Sequence, residues 1–361
     1  MKRVIMGVGT GLLALAAYLL LWPVPIAPVA WEAPEDQGYL GPFEPNADLA
    51  DLTQIDMGTY HGPEDVVALP DGRIATATQG GVVLAFDPEG ETFTVIAETG
   101  GVPLGMEMGP EGRLIVADAY RGLLAVSLDG QVKVLTDAVD GSPILYADDL
   151  DIGPDGVIYF SDASTKFGAE AGGSTLASSL LELMESAGTG RVLAFDPADG
   201  STRLVSDGWV FSNGVAIAPD GDLLVLETGR YRLYKVDPDT GARAVLIDNL
   251  PGFPDNINRG PTLDDGTQTY FVGIVSPRSQ WLDDNADKPL ARRIAMRLPA
   301  FMRPQAENYG LILHIDGDGN ILRSFHDPDG AYPTTTGAVV VGDRMYITSL
   351  TSPTLGYRPY P

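Results

Sequence analysis

The chain contains no cysteine in 361 residues. Thiolate catalysis, disulfides and cysteine-bearing zinc sites are excluded by that alone. The compartment is not fixed by it, because a core of this size does not need disulfide bonds. Histidine is nearly as scarce. His61, His314 and His326 are the full set, no HExxH pattern occurs, and a zinc hydrolase is set aside. Positive charge is also short: 23 basic against 49 acidic side chains give a formal net charge of -26. Such a surface repels nucleic acid, and no basic stripe offsets it. The rest is ordinary for a folded protein, with 44% hydrophobic and 20% charged residues.

The N-terminus speaks about compartment. Lys2 and Arg3 precede an apolar run from Val4 to Trp22 that stops at Pro23. At about 1.5 Å per residue such a run comes close to the ~30 Å of a bilayer core. The flanking positive charges favour a cytoplasmic N-terminus and an exported remainder. We expect residues 1–23 to be an uncleaved signal anchor and residues 24–45, rich in proline, to be a stiff stalk. The alternative is a secreted protein released by signal cleavage. Against it, the candidate sites after Ala27 and Ala30 carry Pro25 and Pro28 where small residues are preferred.

A turn then recurs along the chain: Pro70-Asp71-Gly72, Pro110-Glu111-Gly112, Pro154-Asp155-Gly156 and Pro219-Asp220-Gly221, with weaker versions at Asp264-Asp265-Gly266 and Gly342-Asp343. Proline presets the first turn position and glycine accepts positive φ, so each predicts a hairpin. Each is followed by a β-rich run such as RLIVADA or VIYFSDA, and most then by a second hairpin such as RVLAFDPADGSTRLV. Two hairpins make a four-stranded sheet. Six such sheets read as an all-β, six-bladed β-propeller over residues 46–361. A β-sandwich, the competing architecture, does not repeat a four-strand unit six times. The last repeat lacks a full outer hairpin, and Leu52 to Gly58 would supply the missing outer strand and remove the exposed edges.

Two helical insertions break the rhythm. In the first, Phe167 to Gly190, Ser174 or Ser178 would cap a short helix bearing Leu180, Leu181, Leu183 and Met184. The second, Pro277 to Pro304, sets Leu290, Ile294, Met296 and Leu298 beside Arg292, Arg293, Arg297 and Arg303. Two readings stay open for residues 290–303: a surface helix with snorkelling arginines, or an interfacial helix or active-site lid near a membrane.

The residues opening the innermost strand of each blade converge at one end of the central channel. Several are polar in an otherwise apolar pattern: Glu64, Asp148, Asp149, Asn213, Asp255 and Asn256. Any one of them alone would be a turn residue. Together, carboxylate and amide oxygens aimed at one axis repel unless a cation sits between them. All-oxygen ligation suits a hard cation, and six to eight oxygens suit Ca²⁺ best.

The segments GPEDVVALPDG, GGVPLGMEM, YADDLDIGPDGVIYFSDAS, SNGVAIAPDG with LLVLETGRYRL, and LPGFPDNINRG resemble the strictosidine synthase-like branch of the senescence-marker-protein/gluconolactonase superfamily, which includes adipocyte plasma membrane-associated proteins. The resemblance runs from about Gly41 onward and extends to the N-terminal membrane segment. It implies a six-bladed propeller with a channel Ca²⁺. It matches Glu64, Asn213 and Asp255 to metal ligands of gluconolactonase-type members, and Asp148 and Asn256 to further ligands of paraoxonase-type members. Asp149 falls where those members hold a second, structural calcium. Three departures stand out. Asp148-Asp149 replaces a frequent Asn-Asp. Leu104 stands near the place of the paraoxonase-type catalytic histidine. Thr335 or Thr336 stands near the glutamate that strictosidine synthase uses, so its condensation reaction is not expected.

Two functions of different class follow. The first is a membrane-anchored, Ca²⁺-dependent hydrolase of lactones or aryl esters. In it a metal polarises the carbonyl, Asp255 or Asp148 is the general base, and His61 and Leu104 contact substrate. The second is a membrane-tethered binding scaffold with a structural calcium and no turnover. Glu227 is expected in a blade-packing salt bridge with Arg232 rather than in catalysis.

Overall fold

The computed structural model describes residues 2–87, 90 and 92–360. Six four-stranded antiparallel sheets are arranged as a propeller. The innermost strands are Pro63–Ala68, Pro103–Met108, Ala147–Ile152, Ser212–Ile217, Gly252–Thr262 and Thr335–Val341. Each packs against the next around a ring, and the last returns to the first. Blades one to five are each built from one continuous stretch of chain. Blade six takes three strands from the C-terminal end, and its outer strand is Thr53–Asp56, paired antiparallel with Thr354 to Tyr357. The ring is therefore closed by the N-terminal stretch expected to close it.

The hairpin turns form where proline, acid and glycine coincide. Gly72, Gly112, Gly156, Gly221 and Gly266 all have φ between +71° and +93°, a region that costs a residue with a Cβ. In the first blade Gly72 N donates to Leu69 O, and Leu69 N to Arg73 O. The outer hairpin of that blade joins Val82–Phe86 to Phe93–Glu98; Pro88, Glu89 and Glu91 at its tip lie outside the described residues. Between blades the sheets bury alternating aliphatic and aromatic side chains. Between blades one and two, for example, Val67, Val83, Met106, Val116 and Leu124 form one cluster.

The first insertion forms the helix Thr175–Glu185, capped by Ser174, whose Oγ accepts from Ala177 N at 3.1 Å. Ser178 lies inside the helix and donates to Gly168 O. The second forms two short helices, Gln280–Asp284 and Pro289–Ala295. Its arginines do not simply snorkel: Arg292 and Arg297 are 1% and 8% exposed and donate to main-chain carbonyls.

Lys2–Leu21 forms a helix. Among the described residues no helix is long and apolar enough to cross a membrane; of the expected anchor from Val4 to Trp22, the side chains of Val4, Ile5, Gly7 and Val8 lie outside the described residues. The proline-rich segment that follows does not stand clear of the propeller. Val29 N donates to Glu185 O and Trp31 N to Ala286 O, tying it to both insertions.

Candidate active site

One local distortion, repeated in every blade, builds the site. In each innermost strand the pairing with its neighbour skips. Pro63 pairs with Thr78 but the next pair is Val66 with Thr76, so one extra residue is accommodated. The same bulge occurs at Pro103 to Met106, Ala147 to Leu150, Ser212 to Val215, Pro254 to Ile257 and Thr335 to Ala338. A bulge re-aims the side chains within it. The first residue of each bulge is Glu64, Leu104, Asp148, Asn213, Asp255 or Thr336. The first five line one cavity at the end of the channel. Thr336 lies beside them and donates from Oγ1 to Glu64 O at 2.9 Å.

Where the second residue of a bulge is an acid, its side chain bonds the neighbouring blade. Asp65 Oδ2 accepts from Met106 N of blade two at 2.8 Å. Asp149 Oδ2 accepts from Val215 N of blade four at 2.9 Å, and its Oδ1 from Leu150 N. Both oxygens of Asp149 thus hold main-chain amides and staple neighbouring blades. Glycine makes the room: a Cβ on Gly105 would lie 2.6 Å from Asp149 Oδ1 and 2.9 Å from Asp148 O. Asn256 is fully buried, with Nδ2 donating to Glu64 O at 3.3 Å.

Electrostatics at the cavity floor are unfavourable without a positive partner. Burial, then Asp255 and Asp148, hold Glu64 well above the usual carboxylate range. Burial, then Asp255, does the same to Asp148. Burial raises Asp255 to about 7, opposed by the hydrogen bond from Asn213. Oδ1 of Asn213 and Oδ1 of Asn256 are buried and meet no hydrogen-bond partner. An unmade buried acceptor is costly. Among the described residues no three histidine, cysteine, aspartate or glutamate side chains form a metal-binding group by themselves; the amide oxygens are what would complete the donor set. In donor chemistry these residues fit a hard, oxygen-seeking cation.

The cavity walls are apolar: Leu104, Leu180, Leu183, Phe211, Phe253 and Leu282 line it, and among the described residues no lysine, arginine or histidine does. His61 is exposed and does not line it. The chain turns at Gly62, at φ +65°, and carries the imidazole outward while His61 O accepts from Gln79 N. Thr335 and Thr336 are fully buried and engaged through their hydroxyls.

Sequence reasoning missed several groups and misassigned Glu227. Tyr146 lines the cavity, and burial, then Asp148, Asp255 and Glu64, keep its phenol protonated. Gln79 Nε2 lies 3.3 Å from Glu64 Oε2. Asp118, Asp162 and Glu227 end the second strands of blades two, three and four and accept the amides of Val102, Tyr146 and Val210. Glu227 is therefore a loop staple, and Arg232 pairs with Asp248 at 2.7 Å instead. The clue was the shared place of these acids at the ends of RLIVAD, VIYFSD and LLVLE.

Comparison with known proteins places the chain among propellers of one family. A family model described as "Strictosidine synthase-like, N-terminal" matches residues 41–86, and one described as "Strictosidine synthase" matches residues 148–232. The chain is 30% identical to adipocyte plasma membrane-associated protein of Rattus norvegicus over 361 residues, covering 93% of each. It is 33% identical to strictosidine synthase-like protein 6 of Arabidopsis thaliana, covering 82% of this chain and 78% of that protein. Among solved structures, a gluconolactonase from Xanthomonas campestris superposes with a TM-score of 0.61 at 18% identity, over 94% of this chain and 99% of that one. Regucalcin from Agrobacterium tumefaciens, described as a calcium-binding protein, superposes with a TM-score of 0.54 at 14% identity, over 82% of this chain and 92% of that one. At those identities the two structures establish likeness of fold.

Proposed function

The chain belongs to the strictosidine synthase-like family that includes the adipocyte plasma membrane-associated proteins, and on that premise we propose a Ca²⁺-dependent hydrolase of lactones or aryl esters. One observation carries this reading. Three buried carboxylates, Glu64, Asp148 and Asp255, and the unpartnered amide oxygen of Asn213 line one apolar cavity, and the unpartnered Oδ1 of Asn256 is buried next to Asp255 in the chain. The fold shared with gluconolactonase supports it.

Glu64, Asp148, Asn213, Asp255 and Asn256 would hold the ion. When bound, calcium supplies polarisation of the substrate carbonyl and stabilisation of the charge that develops on its oxygen. Asp255 or Asp148 would take the proton from the attacking water. Leu104, Phe211 and Phe253 exclude bulk water and hold the hydrocarbon part of the ester. Because no cationic side chain among the described residues lines the walls, a neutral substrate is favoured over an anionic one. The buried threonines at positions 335 and 336 offer no carboxylate, so nothing here favours a strictosidine-type condensation.

The propeller would be tethered by the N-terminal helix as a single-pass anchor with a cytoplasmic N-terminus. The names of the curated relatives support membrane association. Leu290, Phe301 and Met302 of the second insertion are 57%, 81% and 56% exposed and would lie in the same interface.

The test is hydrolysis of phenyl acetate and of simple lactones by the full chain in detergent, with calcium and with chelator. Turnover that chelator abolishes is expected. Calcium that raises the melting temperature without any turnover would instead identify a tethered scaffold, the reading that a leucine at position 104 favours.

A further inference from the structure

The helix Thr175–Glu185 forms one wall of the cavity through Leu176, Ser179, Leu180 and Leu183. A three-turn helix of eleven residues is marginal alone, so what fixes its two ends decides where that wall stands.

At the C-terminal end the fixing group is the segment after the leader helix. Val29 N donates to Glu185 O at 2.8 Å, and Ala27 N to Glu185 Oε2 at 2.6 Å. Arg292, 1% exposed, lies under both. Its Nη1 donates to Met184 O and Glu185 O, and its Nη2 to Val29 O and Ala286 O. A guanidinium on the last carbonyls of a helix satisfies acceptors that the helix itself cannot. Ile26, 4% exposed, packs in a cluster with Phe167, Met184 and Ala295. Further along, Arg278 Nη2 donates to Pro34 O and Asn249 Nδ2 to Glu35 O. Residues 24–35 are thus bonded in place along their length.

At the N-terminal end the helix reaches the acid cluster. Thr175 Oγ1 donates to Gln79 Oε1 at 3.0 Å, and the other end of the same amide, Nε2, donates to Glu64 Oε2 at 3.3 Å. Gln79 is fully used as a bridge between the helix and a carboxylate of the site.

We infer that residues 24–35 are part of the active-site cap: they fix the helix Thr175–Glu185 at one end, and through Thr175 and the positioning residue Gln79 that helix fixes Glu64 at the other. Removal of the leader after Ala27 or Ala30 would take away Ile26 and the Ala27 amide, and in the second case Val29. A chain cut at either place has a loosened cap, so the leader and the cavity are one mechanical unit.

The calcium part of the test rests on the proposed function; the exchange part does not. Val29→Pro in the full chain deletes the donor to Glu185 O, and Ala27→Pro, which deletes the donor to its side chain, serves should the first variant misfold. Amide hydrogen exchange over 175–185 is expected to rise at least tenfold, and exchange over Pro63–Ala68 to rise with it. Calcium affinity is expected to fall at least threefold in Val29→Pro and in Gln79→Ala, and the double variant to be no weaker than the worse single one. Unchanged exchange over 175–185 in both proline variants overturns the inference. So do losses that simply multiply in the double variant. If the wild-type chain takes up no calcium, the hydrolase reading falls on its own. The exchange of Pro63–Ala68 in Val29→Pro then decides, upholding the coupling if it rises and ending it if it does not.

Discussion

Asn213 Nδ2 donates to Asp255 Oδ1 across 2.5 Å, and the other end of the same amide, Oδ1, meets no partner. The amide is therefore locked by its donor, with its acceptor free to face an ion. Asn213→Leu removes that acceptor at similar volume. Calcium affinity should fall at least tenfold, about 1.4 kcal/mol, and the rise in melting temperature on adding calcium should shrink accordingly. Calorimetric titration and thermal melts with and without the ion check this. An unaltered response would place the ion elsewhere.

Charge without a partner makes the metal-free protein sensitive to alkali. Burial raises Asp65 and Asp255 to about 7 and, with Asp151 and then Asp65 assisting, Glu107 to about 8. Their unfolded values lie near about 4. Between those limits the folded chain holds more protons than the unfolded one. The stability tied to these groups is therefore complete below about pH 4 and lost as pH climbs through 7 to 8. His326 runs the other way. Burial, opposed by Asp48, depresses it to about 4, so its contribution is lost as pH falls from about 6.5 toward 4. In chelator the melting temperature should drop on going from mildly acid to mildly alkaline buffer. Calcium should remove the share of that drop that comes from Asp255 and leave the shares of Asp65 and Glu107, which are not among the proposed ligands, and a profile that ignores calcium would count against the acid cluster as its site.

Leu104 occupies the first place of the blade-two bulge and lines the cavity while 2% exposed. It is the one first-place residue that brings no polar atom to the ring. Leu104→His puts a base beside the carboxylates, and general-base assistance is typically worth about 10²–10⁴. Aryl-ester kcat should rise roughly tenfold or more with little change in KM. No gain in a folded variant would show that the scissile bond is not presented to blade two.

Asp162 and Arg191 form a pair at 2.8 Å, with side chains 0% and 9% exposed. Asp162 Oδ1 also takes the amides of Leu145 and Tyr146, which lead into Asp148. Asp162→Ala leaves a buried guanidinium without its partner, and a loss of about 3–5 kcal/mol in denaturant unfolding is expected. The replacement should also weaken calcium binding, because the strand carrying Asp148 loses its tether.

Much of this was readable from the primary structure, for a definite reason. Hairpin turns need proline and glycine at set places, so Pro70 to Gly72 and its counterparts announce the blades. A polar residue ahead of an apolar inner strand is conspicuous, which is how Glu64, Asp148, Asn213, Asp255 and Asn256 stand out. The bulge that separates Glu64 from Asp65, or Asp148 from Asp149, leaves no such mark. Hence Asp149 reads as a second ligand position, whereas both its oxygens hold amides of the blade walls. His61 looked near the mouth by spacing, yet one left-handed glycine at position 62 turns it away. Contacts between segments far apart in sequence, such as Arg292 with Val29 or Thr175 with Gln79, depend on where loops land and have no local signature.

The seam in blade six has a consequence for biosynthesis. Thr53–Asp56 pairs with Thr354 to Tyr357, a segment far removed in sequence. Throughout translation the growing ring stays an open arc with a bare strand at each flank, exposed to pairing with other chains. Its completion waits for Thr354 to Tyr357 to emerge. A stop codon or proteolytic nick before Thr354 would thus yield an arc that cannot shut, and whose ready fate is aggregation.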